Sequence, residues 1–163
     1  MAELKTENLR TVALVGHGAS GKTSLAEALL ARSGMIAAAG SVEKGTTVCD
    51  SDPLEKTYQH SLRAAIAHLD HKAVDGIATR VHLIDTPGYP DFIGQAIGAL
   101  DAVETVAVVV SATSGIELVT RRMMDWAKSR QLCRMIVVTK IDAENLDLEG
   151  LLAQLQDAFG PEV

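Results

Sequence analysis

Short apolar runs alternate along the chain with longer stretches in which apolar residues recur at helical spacing. This alternation predicts β-strands connected by amphipathic helices. The predicted strands cover 11–15, 62–69, 79–84, 105–110 and 135–138, and the predicted helices cover 22–32, 91–100, 116–130 and 146–159. Strands interleaved with helices indicate an α/β fold with a mostly parallel sheet and helices on both faces.

Three short segments refine the predicted sheet. The polar segment 70–76 lies between two strands and suits an antiparallel hairpin. The apolar runs 106–110 and 135–138 are typical of strands that are buried on both faces.

Residues 22–60 contain the first helix and a long irregular segment. The helical spacing places Leu25, Ala28 and Leu29 on one face of the helix. Residues 34–60 are rich in Gly, Ala and Ser and show no sustained period. We therefore expect a mobile loop there, with room for one helical turn.

Composition limits the classes of protein to which the chain can belong. With 163 residues, 47% of them hydrophobic, it suits one compact domain. The net charge of -6 disfavours direct DNA binding through a broad basic face. Cys49 and Cys133 lack CxxC spacing and fit reduced thiols. With no signal-like start and no apolar run near the ~18 residues of a membrane span, we expect a cytoplasmic monomer without membrane contact.

A glycine-rich loop connects the first strand to the first helix. Residues 16–23 read GHGASGKT and match the P-loop pattern G-x-x-x-x-G-K-[ST] in the context of a strand and a helix. Its backbone N–H groups and the helix N-terminus favour a bound phosphate. Lys22 is expected to reach the β- and γ-phosphates, and the Thr23 hydroxyl to ligate Mg²⁺. The other phosphate-loop residues in this prediction are His17, Gly18, Ala19, Ser20, Gly21 and Ser24.

A second phosphate-sensing turn follows the strand at 79–84. Asp85 ends that strand, where a carboxylate faces Mg²⁺ across the strand tips. Gly88 offers its backbone N–H to a γ-phosphate with no side chain in the way. The P-loop alone does not choose among kinases, ATPases and GTPases, so a base-reading motif is needed to decide.

The segment 139–142 supplies that motif. It reads TKID and resembles the Asn-Lys-x-Asp signature of GTPases. The carboxylate of Asp142 can accept both the N1–H and the exocyclic N–H of guanine, and adenine offers neither donor. Lys140 is expected to lay its aliphatic stem over the base. The three motifs together predict a guanine nucleotide as the ligand.

In this order and spacing, GHGASGKT, DTPGYPDF at 85–92 and TKID resemble the G domain of elongation factor G, and more specifically its elongation-factor-G-like paralogues. The resemblance implies a P-loop NTPase fold, GTP or GDP with Mg²⁺ as ligands, and the ribosome as a partner. It also implies that residues 1–163 are the N-terminal G domain of a longer multidomain translation factor. On this interpretation the chain stops before the last strand and helix of the domain, and the strand 135–138 becomes a sheet edge.

Four positions depart from the family pattern. Tyr89 replaces the histidine that positions the attacking water, so we expect the turn to sense phosphate while efficient hydrolysis by the usual route is in doubt. Ala19 stands where many translation factors carry an aspartate. Thr139 replaces the asparagine of the base motif, and its hydroxyl covers part of that role. Ser61 aligns with the threonine that ligates Mg²⁺ in the GTP state, although a plain serine at the start of a strand is an equal alternative.

Two functions therefore stay open. In the first, the protein is a translation-factor GTPase with Lys22, Gly88 and Tyr89 as its catalytic residues. GTP then orders residues 40–61 and 85–92, and hydrolysis releases them. In the second, the protein is a guanine-nucleotide-binding module that hydrolyses negligibly and regulates the ribosome.

Four other side chains have more ordinary explanations. His17 is expected to pack or to meet solvent. His68 and His71 have a metal-like spacing but no Cys or carboxylate partner, so we expect them at the tip of the hairpin. Trp126 is expected in the core or on a partner surface.

Overall fold

The computed structural model describes residues 5–72 and 76–162. Its strands are β1 (Leu9–Val15), β2 (Ala65–Lys72), β3 (Ala78–Asp85), β4 (Thr105–Ser111) and β5 (Cys133–Thr139). Its helices are α1 (Lys22–Arg32), α2 (Pro53–Tyr58), α3 (Ile93–Leu100), α4 (Leu118–Ser129) and α5 (Leu148–Phe159). Single 3₁₀ turns at Thr6–Asn8 and Pro90–Phe92 precede β1 and α3.

The described strands form one sheet in the order β2-β3-β1-β4-β5. β1 pairs in parallel with β3 and β4, and β4 pairs in parallel with β5. β2 runs antiparallel to β3. The predicted mostly parallel sheet with one antiparallel hairpin strand is confirmed. Because the parallel strands share one direction, the loops after β1, β3, β4 and β5 lie at the same edge of the sheet.

Both faces of the sheet carry helices, as predicted. Alternate residues of β4 point to opposite faces. Val106, Val108 and Val110 belong to the core cluster shared with α3, α4 and α5. Ala107 and Val109 belong to the second cluster, which packs against α1. β4 is therefore covered on both sides.

The hairpin begins three residues later than predicted. Leu62 and Arg63 stand outside β2 because their backbone N–H groups donate to Oε1 of Glu55, at 2.9 and 3.1 Å. Glu55 is buried, and its other oxygen accepts from the backbone N–H of Asp52 at 3.1 Å. Residues 73–75, part of the polar segment predicted to separate the two strands, lie outside the described residues.

Three helices begin two residues later than predicted. The predicted start of α3 at 91 is taken by the 3₁₀ turn Pro90–Phe92. The start of α5 moves to Leu148 because the Asp147 side chain caps it, accepting from the N–H of Gly150 at 2.8 Å. α4 begins at Leu118 after an extended Glu117.

α1 buries a different face from the predicted one. Leu25, Ala28 and Leu29 share one face of the observed helix, as expected, but only Leu25 packs against the core, while Ala28 and Leu29 are exposed. The buried residues of α1 are Lys22, Thr23, Ala26, Glu27 and Leu30. Thr23 donates a hydrogen bond to Asp85 at the end of β3, which turns its side of the helix to the sheet. Residues three, four and seven positions later share that side.

β5 is not buried on both faces, contrary to the prediction from its apolar sequence. It lies at the edge of the described sheet and pairs only with β4. None of its residues is fully buried, and Met135 is 47% exposed. The edge position agrees with the expectation that this strand becomes a sheet edge, whereas burial on both faces, predicted from the apolar run, is wrong.

The cysteines and the helix lengths can also be compared with the expectations from the sequence. Cys49 is buried, Cys133 is exposed, and both are free thiols. Among the residues that the structure describes, no helix has the length and apolar character that crossing a membrane requires.

A buried carboxylate organises the irregular segment that follows α1. Glu27 is fully buried, and its side chain accepts hydrogen bonds from the backbone N–H groups of Gly40, Val48 and Cys49 at 2.9, 2.6 and 3.3 Å. The segment ends in α2, a helix of six residues that fits the expected helical turn. The mobility expected for this segment stays a prediction.

We expect Glu27→Gln to lower the free energy of unfolding by about 1–3 kcal/mol, the cost of a buried backbone donor left without its acceptor. The amide N–H₂ of glutamine would face a backbone N–H group. Urea unfolding measures the change. Glu144→Gln, at an exposed position, is the matched control. Equal unfolding midpoints for the Glu27 variant and the unmodified protein would show that Glu27 does not organise the segment.

Candidate functional site

The loops after β1, β3 and β5 enclose a cavity of about 210 Å³, together with the segment 42–61. The predicted site residues that line it are Gly18, Ala19, Gly21, Lys22, Thr23, Ser24, Ser61, Gly88, Tyr89 and Lys140. The predicted site residues outside the lining are His17, Ser20, Asp85, Thr139 and Asp142. The fold thus brings together residues from three separate motifs.

The loop 16–23 has a tightly constrained backbone. Gly16 has a φ of 142°, and a Cβ there would collide with the carbonyl oxygen of Val109 on β4. Gly21 has a φ of 89° and immediately precedes α1. Ala19 adopts a φ of 57°, a left-handed conformation that is uncommon for alanine. The surrounding structure therefore holds the loop in one curled shape.

Lys22 lies inside the curl of this loop and is only 6% exposed. Its Nζ donates to the carbonyl oxygens of Gly16 and His17, at 3.1 and 2.7 Å. Burial lowers the pKa of Lys22 to about 8, although the charge of Asp85 acts in the opposite direction. A bound anion would favour the protonated ammonium, because an opposite charge stabilises it.

Two hydroxyls and the carboxylate of Asp50, all of which line the cavity, form a connected group of oxygen atoms with the buried carboxylate of Asp85 behind them. Thr23 Oγ1 donates to Asp85 Oδ2 at 2.7 Å, and Ser61 Oγ donates to Asp50 Oδ1 at 2.7 Å. The two hydroxyl oxygens are 3.2 Å apart. Each hydroxyl has one hydrogen, and both hydrogens are donated in hydrogen bonds to the carboxylates. The lone pairs of Thr23 and Ser61 are therefore free for a cation.

Asp85 completes this group of acceptors. It is 2% exposed, and its Oδ1 has no hydrogen-bond partner among the described residues. Burial raises the pKa of Asp85 to about 6, while the hydrogen bond from Thr23 and the charge of Lys22 act in the opposite direction. A divalent cation that prefers oxygen ligands would satisfy such an orphaned carboxylate oxygen. The residues present therefore fit Mg²⁺.

The hydroxyls are needed for such a site. Within 5–72 and 76–162, no three His, Cys, Asp or Glu side chains are grouped closely enough to hold a metal ion by themselves. A cation here would depend on the hydroxyls of Thr23 and Ser61, on water and on the oxygen atoms of a bound phosphate, as Mg²⁺ sites that include phosphate commonly do.

The turn after β3 is pressed against the P-loop. The Thr86 hydroxyl donates to the carbonyl oxygen of Leu14 on β1 at 2.7 Å. A Cβ at Gly88 would collide with Nζ of Lys22 and with the backbone carbonyl of His17. Only glycine brings the backbone this close to the lysine ammonium.

Tyr89 stands at the mouth of the cavity, with 41% of its surface exposed. Its ring lies over Gly18, where an added Cβ would be 3.1 Å from Cζ of the tyrosine. The ring of His60 lies 4.7 Å from it, centroid to centroid. Tyr89 therefore connects the P-loop with the residue that precedes Ser61.

The loop after β5 braces the P-loop and contributes one residue to the cavity. The hydroxyl of Thr139 donates to the carbonyl oxygen of Ser20 at 2.6 Å. Lys140, with a left-handed φ of 55°, lines the cavity. Asp142 is exposed in a turn outside the lining. Its role in reading a base stays a prediction.

Sequence reasoning missed six residues that line the cavity: Val42, Glu43, Asp50, Gln59, His60 and Thr86. Asp50 is 3% exposed and accepts hydrogen bonds from Ser61 and Thr47. Thr86 follows Asp85 directly, so its hydroxyl could have been noticed. Asp50 and His60 lie in an aperiodic segment, where no local pattern separates them from neighbouring polar residues.

The side chains with ordinary explanations have definite positions. His17 is packed in the interior, which is one of the two positions expected for it. It is 1% exposed, and its Nδ1 lies 3.3 Å from Oγ1 of Thr120. His68 and His71 lie within β2, not at the tip of the hairpin, because β2 extends to Lys72. Trp126 is 38% exposed.

Comparison with known proteins reveals a consistent set of relatives. The family described as "Elongation factor Tu GTP binding domain" matches residues 7–162. The chain is 39% identical over 155 residues to an elongation factor G-like protein of Mycobacterium tuberculosis, a match that covers 95% of this chain and 21% of that protein. It is 36% identical over 154 residues to an oxytetracycline resistance protein of Streptomyces rimosus, covering 94% and 22%.

A solved structure agrees with these matches. A crystal structure of a protein from Thermus thermophilus superposes with a TM-score of 0.85 at 44% sequence identity, and the match covers 93% of this chain and 22% of that one. The chain thus spans about a fifth of the length of the relatives it matches. The resemblance stated from the motifs is confirmed, and so is the P-loop fold. The chain belongs to the elongation factor Tu GTP binding domain family, and its relatives in that family include elongation-factor-G-like proteins.

Proposed function

We propose that the cavity binds GTP or GDP with Mg²⁺ and that the chain is the GTP-hydrolysing G domain of a cytoplasmic translation factor acting on the ribosome. The observation that carries this proposal is the pairing, at one site, of a buried ammonium at Lys22 with the orphaned oxygen of Asp85. The first requires an anion and the second a cation, and a magnesium-bound nucleotide supplies both.

The phosphate end of the nucleotide belongs in the curl of residues 16–23. Backbone N–H groups from Gly18 to Ser24 surround the β-phosphate, and Lys22 turns from its backbone acceptors to the β- and γ-phosphates. Gly88 donates its N–H to the γ-phosphate, which explains why no side chain fits there. In this role Lys22 and Gly88 stabilise the charge that develops as the γ-phosphoryl group leaves.

Mg²⁺ belongs at Thr23, Ser61 and Asp85. The hydroxyls of Thr23 and Ser61 offer their lone pairs, and Asp85 acts directly or through a water. When bound, the ion neutralises part of the phosphate charge. Loss of the γ-phosphate would remove this interaction from Ser61 and would release the segment 40–61.

The base belongs beside the loop after β5. Lys140 covers the plane of the base with its stem, and Asp142 accepts from the N1–H and the exocyclic N–H of guanine. Thr139 holds the P-loop through Ser20 and so keeps the base loop and the phosphate loop in register.

A second function is favoured by Tyr89 and Ala19. Tyr89 occupies the position of the water-positioning histidine in the resembling family, and its ring covers Gly18. Ala19 brings no carboxylate to the phosphates. In this alternative the protein binds GTP, hydrolyses it negligibly and regulates the ribosome as a bound switch.

Lys22→Ala should lower GDP affinity by about 10²–10³-fold, because it removes charge-assisted hydrogen bonds worth about 1.5–3 kcal/mol each. Titration with fluorescently labelled GDP measures this change. Lys128→Ala, on the exposed side of α4, is the control and should bind as the unmodified protein does. Tight GDP binding by a folded Lys22→Ala protein would contradict the P-loop assignment.

Asp142→Asn should move the base preference from guanine toward xanthine, since the amide presents a donor where the carboxylate accepted. We expect GTP affinity to fall by about 10²-fold and XTP affinity to rise, as the loss of two charge-assisted bonds implies. Competition between GTP and XTP for labelled GDP measures the shift. Asp157→Asn on α5 is the control. Unchanged GTP affinity would remove Asp142 from the base site.

GTP turnover by the full-length protein, with and without ribosomes, separates the two functions. The GTPase proposal predicts that ribosomes accelerate turnover by about 10³-fold or more, since partner-assisted stabilisation reaches ~10³–10⁵ in this class of enzyme. Nucleotide binding without any acceleration would favour the regulator. Absence of nucleotide binding would end both proposals.

A further inference from the structure

His60 occupies a position at the cavity that no motif predicts. It follows α2, directly precedes Ser61 and lines the cavity. Its ring packs against Tyr89 at a centroid distance of 4.7 Å, and against Tyr58 and Phe92 at 5.9 and 6.4 Å. Aromatic neighbours from two separate segments therefore hold the imidazole in place.

The hydrogen bonding of His60 defines its tautomer. Nδ1 lies 2.9 Å from the backbone carbonyl oxygen of Tyr58. A carbonyl oxygen only accepts, so Nδ1 must carry the proton, and in the neutral imidazole Nε2 carries a lone pair. Nε2 makes no hydrogen bond among residues 5–72 and 76–162. Nε2 is thus the ring nitrogen left for a partner at the cavity, which His60 lines.

The carboxylates of Asp85 and Asp50 belong to the oxygen group proposed for Mg²⁺, in which Asp85 Oδ1 has no hydrogen-bond partner among the described residues. Asp85 and Asp50 take the hydroxyl hydrogens of Thr23 and Ser61. His17 is buried beneath the P-loop and outside the lining.

Two further cavity residues lack a free neutral acceptor. Glu43 accepts from the hydroxyl of Ser41 at 2.6 Å. Tyr89 carries a phenol, which donates readily. Gln59, which also lines the cavity, donates its Nε2 to the carbonyl oxygen of Glu43 at 3.1 Å, and its amide oxygen remains an acceptor. His60 differs from Gln59 because its ring is held against Tyr89, in the turn that follows Asp85.

We infer that His60 positions the attacking water in GTP hydrolysis, with Nε2 accepting a hydrogen bond from that water. This inference rests on the proposed GTPase function. The water oxygen bonds to the γ-phosphorus, and the bond from that phosphorus to the β–γ bridging oxygen breaks. The electron pair stays on GDP, and the proton of the water leaves with inorganic phosphate. A glutamine orients the water in the same way in other GTPases.

Tyr89 has a supporting role in this arrangement. Its ring lies between Gly18 and the imidazole, and the absence of a side chain at Gly18 gives it room. An aromatic residue at 89 therefore fixes the orientation of His60 instead of contacting the water itself. The histidine is supplied by the segment before Ser61 and not by the turn after β3.

The experiment compares His60→Phe with His60→Gln in the full-length protein, with ribosomes present. Phenylalanine keeps the aromatic packing but has no acceptor, whereas glutamine offers a carbonyl oxygen. We expect His60→Phe to lower kcat for GTP by about 10²-fold, the lower end of the range for a positioned acid–base group. KM and GDP affinity should stay within about 3-fold of the unmodified values, because the nucleotide contacts are retained. His60→Gln should recover part of kcat.

His71→Phe and His71→Gln, on the exposed part of β2, are the matched controls. A kcat for His60→Phe that matches the unmodified protein overturns the inference. So does a parallel change in kcat and GDP affinity in both His60 variants, since that would indicate a structural role. If the unmodified protein binds GTP but ribosomes never stimulate turnover, the inference is wrong while nucleotide binding stands. If it binds no guanine nucleotide, the proposed function itself fails.

Discussion

The hydrogen bond from Thr23 to Asp85 is the contact on which the geometry of this protein depends. It joins the first turn of α1 to the end of β3 through two buried side chains at 2.7 Å. With Thr23 held there, α1 can turn only one face to the sheet, and that face includes Ala26 and Leu30. The same bond commits the hydroxyl hydrogen and leaves its lone pairs for a cation. One contact thus sets both the packing of a helix and the chemistry of the site.

Hydrogen bonds from side chains to backbone carbonyls hold the loops at this edge of the sheet. Thr86 bonds to Leu14, and Thr139 bonds to Ser20, so the turns after β3 and β5 are each tied to β1 or its loop. Such bonds leave the backbone little freedom, and the absence of a side chain at Gly88 then allows the turn to approach the P-loop. Loops tied down in this way would bind the proposed phosphate with little further ordering.

Buried carboxylates hold the segment between α1 and β2 in place by accepting hydrogen bonds from its backbone. Glu27 binds three backbone N–H groups on one side of the segment, and Glu55 binds three on the other. Buried donors must be satisfied, so these two residues determine where an otherwise irregular chain can run. The result is that Asp50, His60 and Ser61 arrive at the cavity together. The segment carries no periodic pattern, and its position is nevertheless specified by polar contacts.

The sequence by itself determined the α/β alternation, the hairpin strand, the loop 16–23, the strand-ending Asp85 and the family. These features depend on the periodicity of apolar residues or on the backbone conformation of a few neighbouring residues. Both are visible in a short stretch of sequence. The tertiary structure decided the rotation of α1, the position of Asp50 at the cavity and the contact of His60 with Tyr89. Each of these depends on residues far apart in the chain, brought together by strand order and by the satisfaction of buried donors. A local sequence pattern does not contain that information, because the same apolar or polar residue can be buried or exposed depending on which residues surround it in the folded chain.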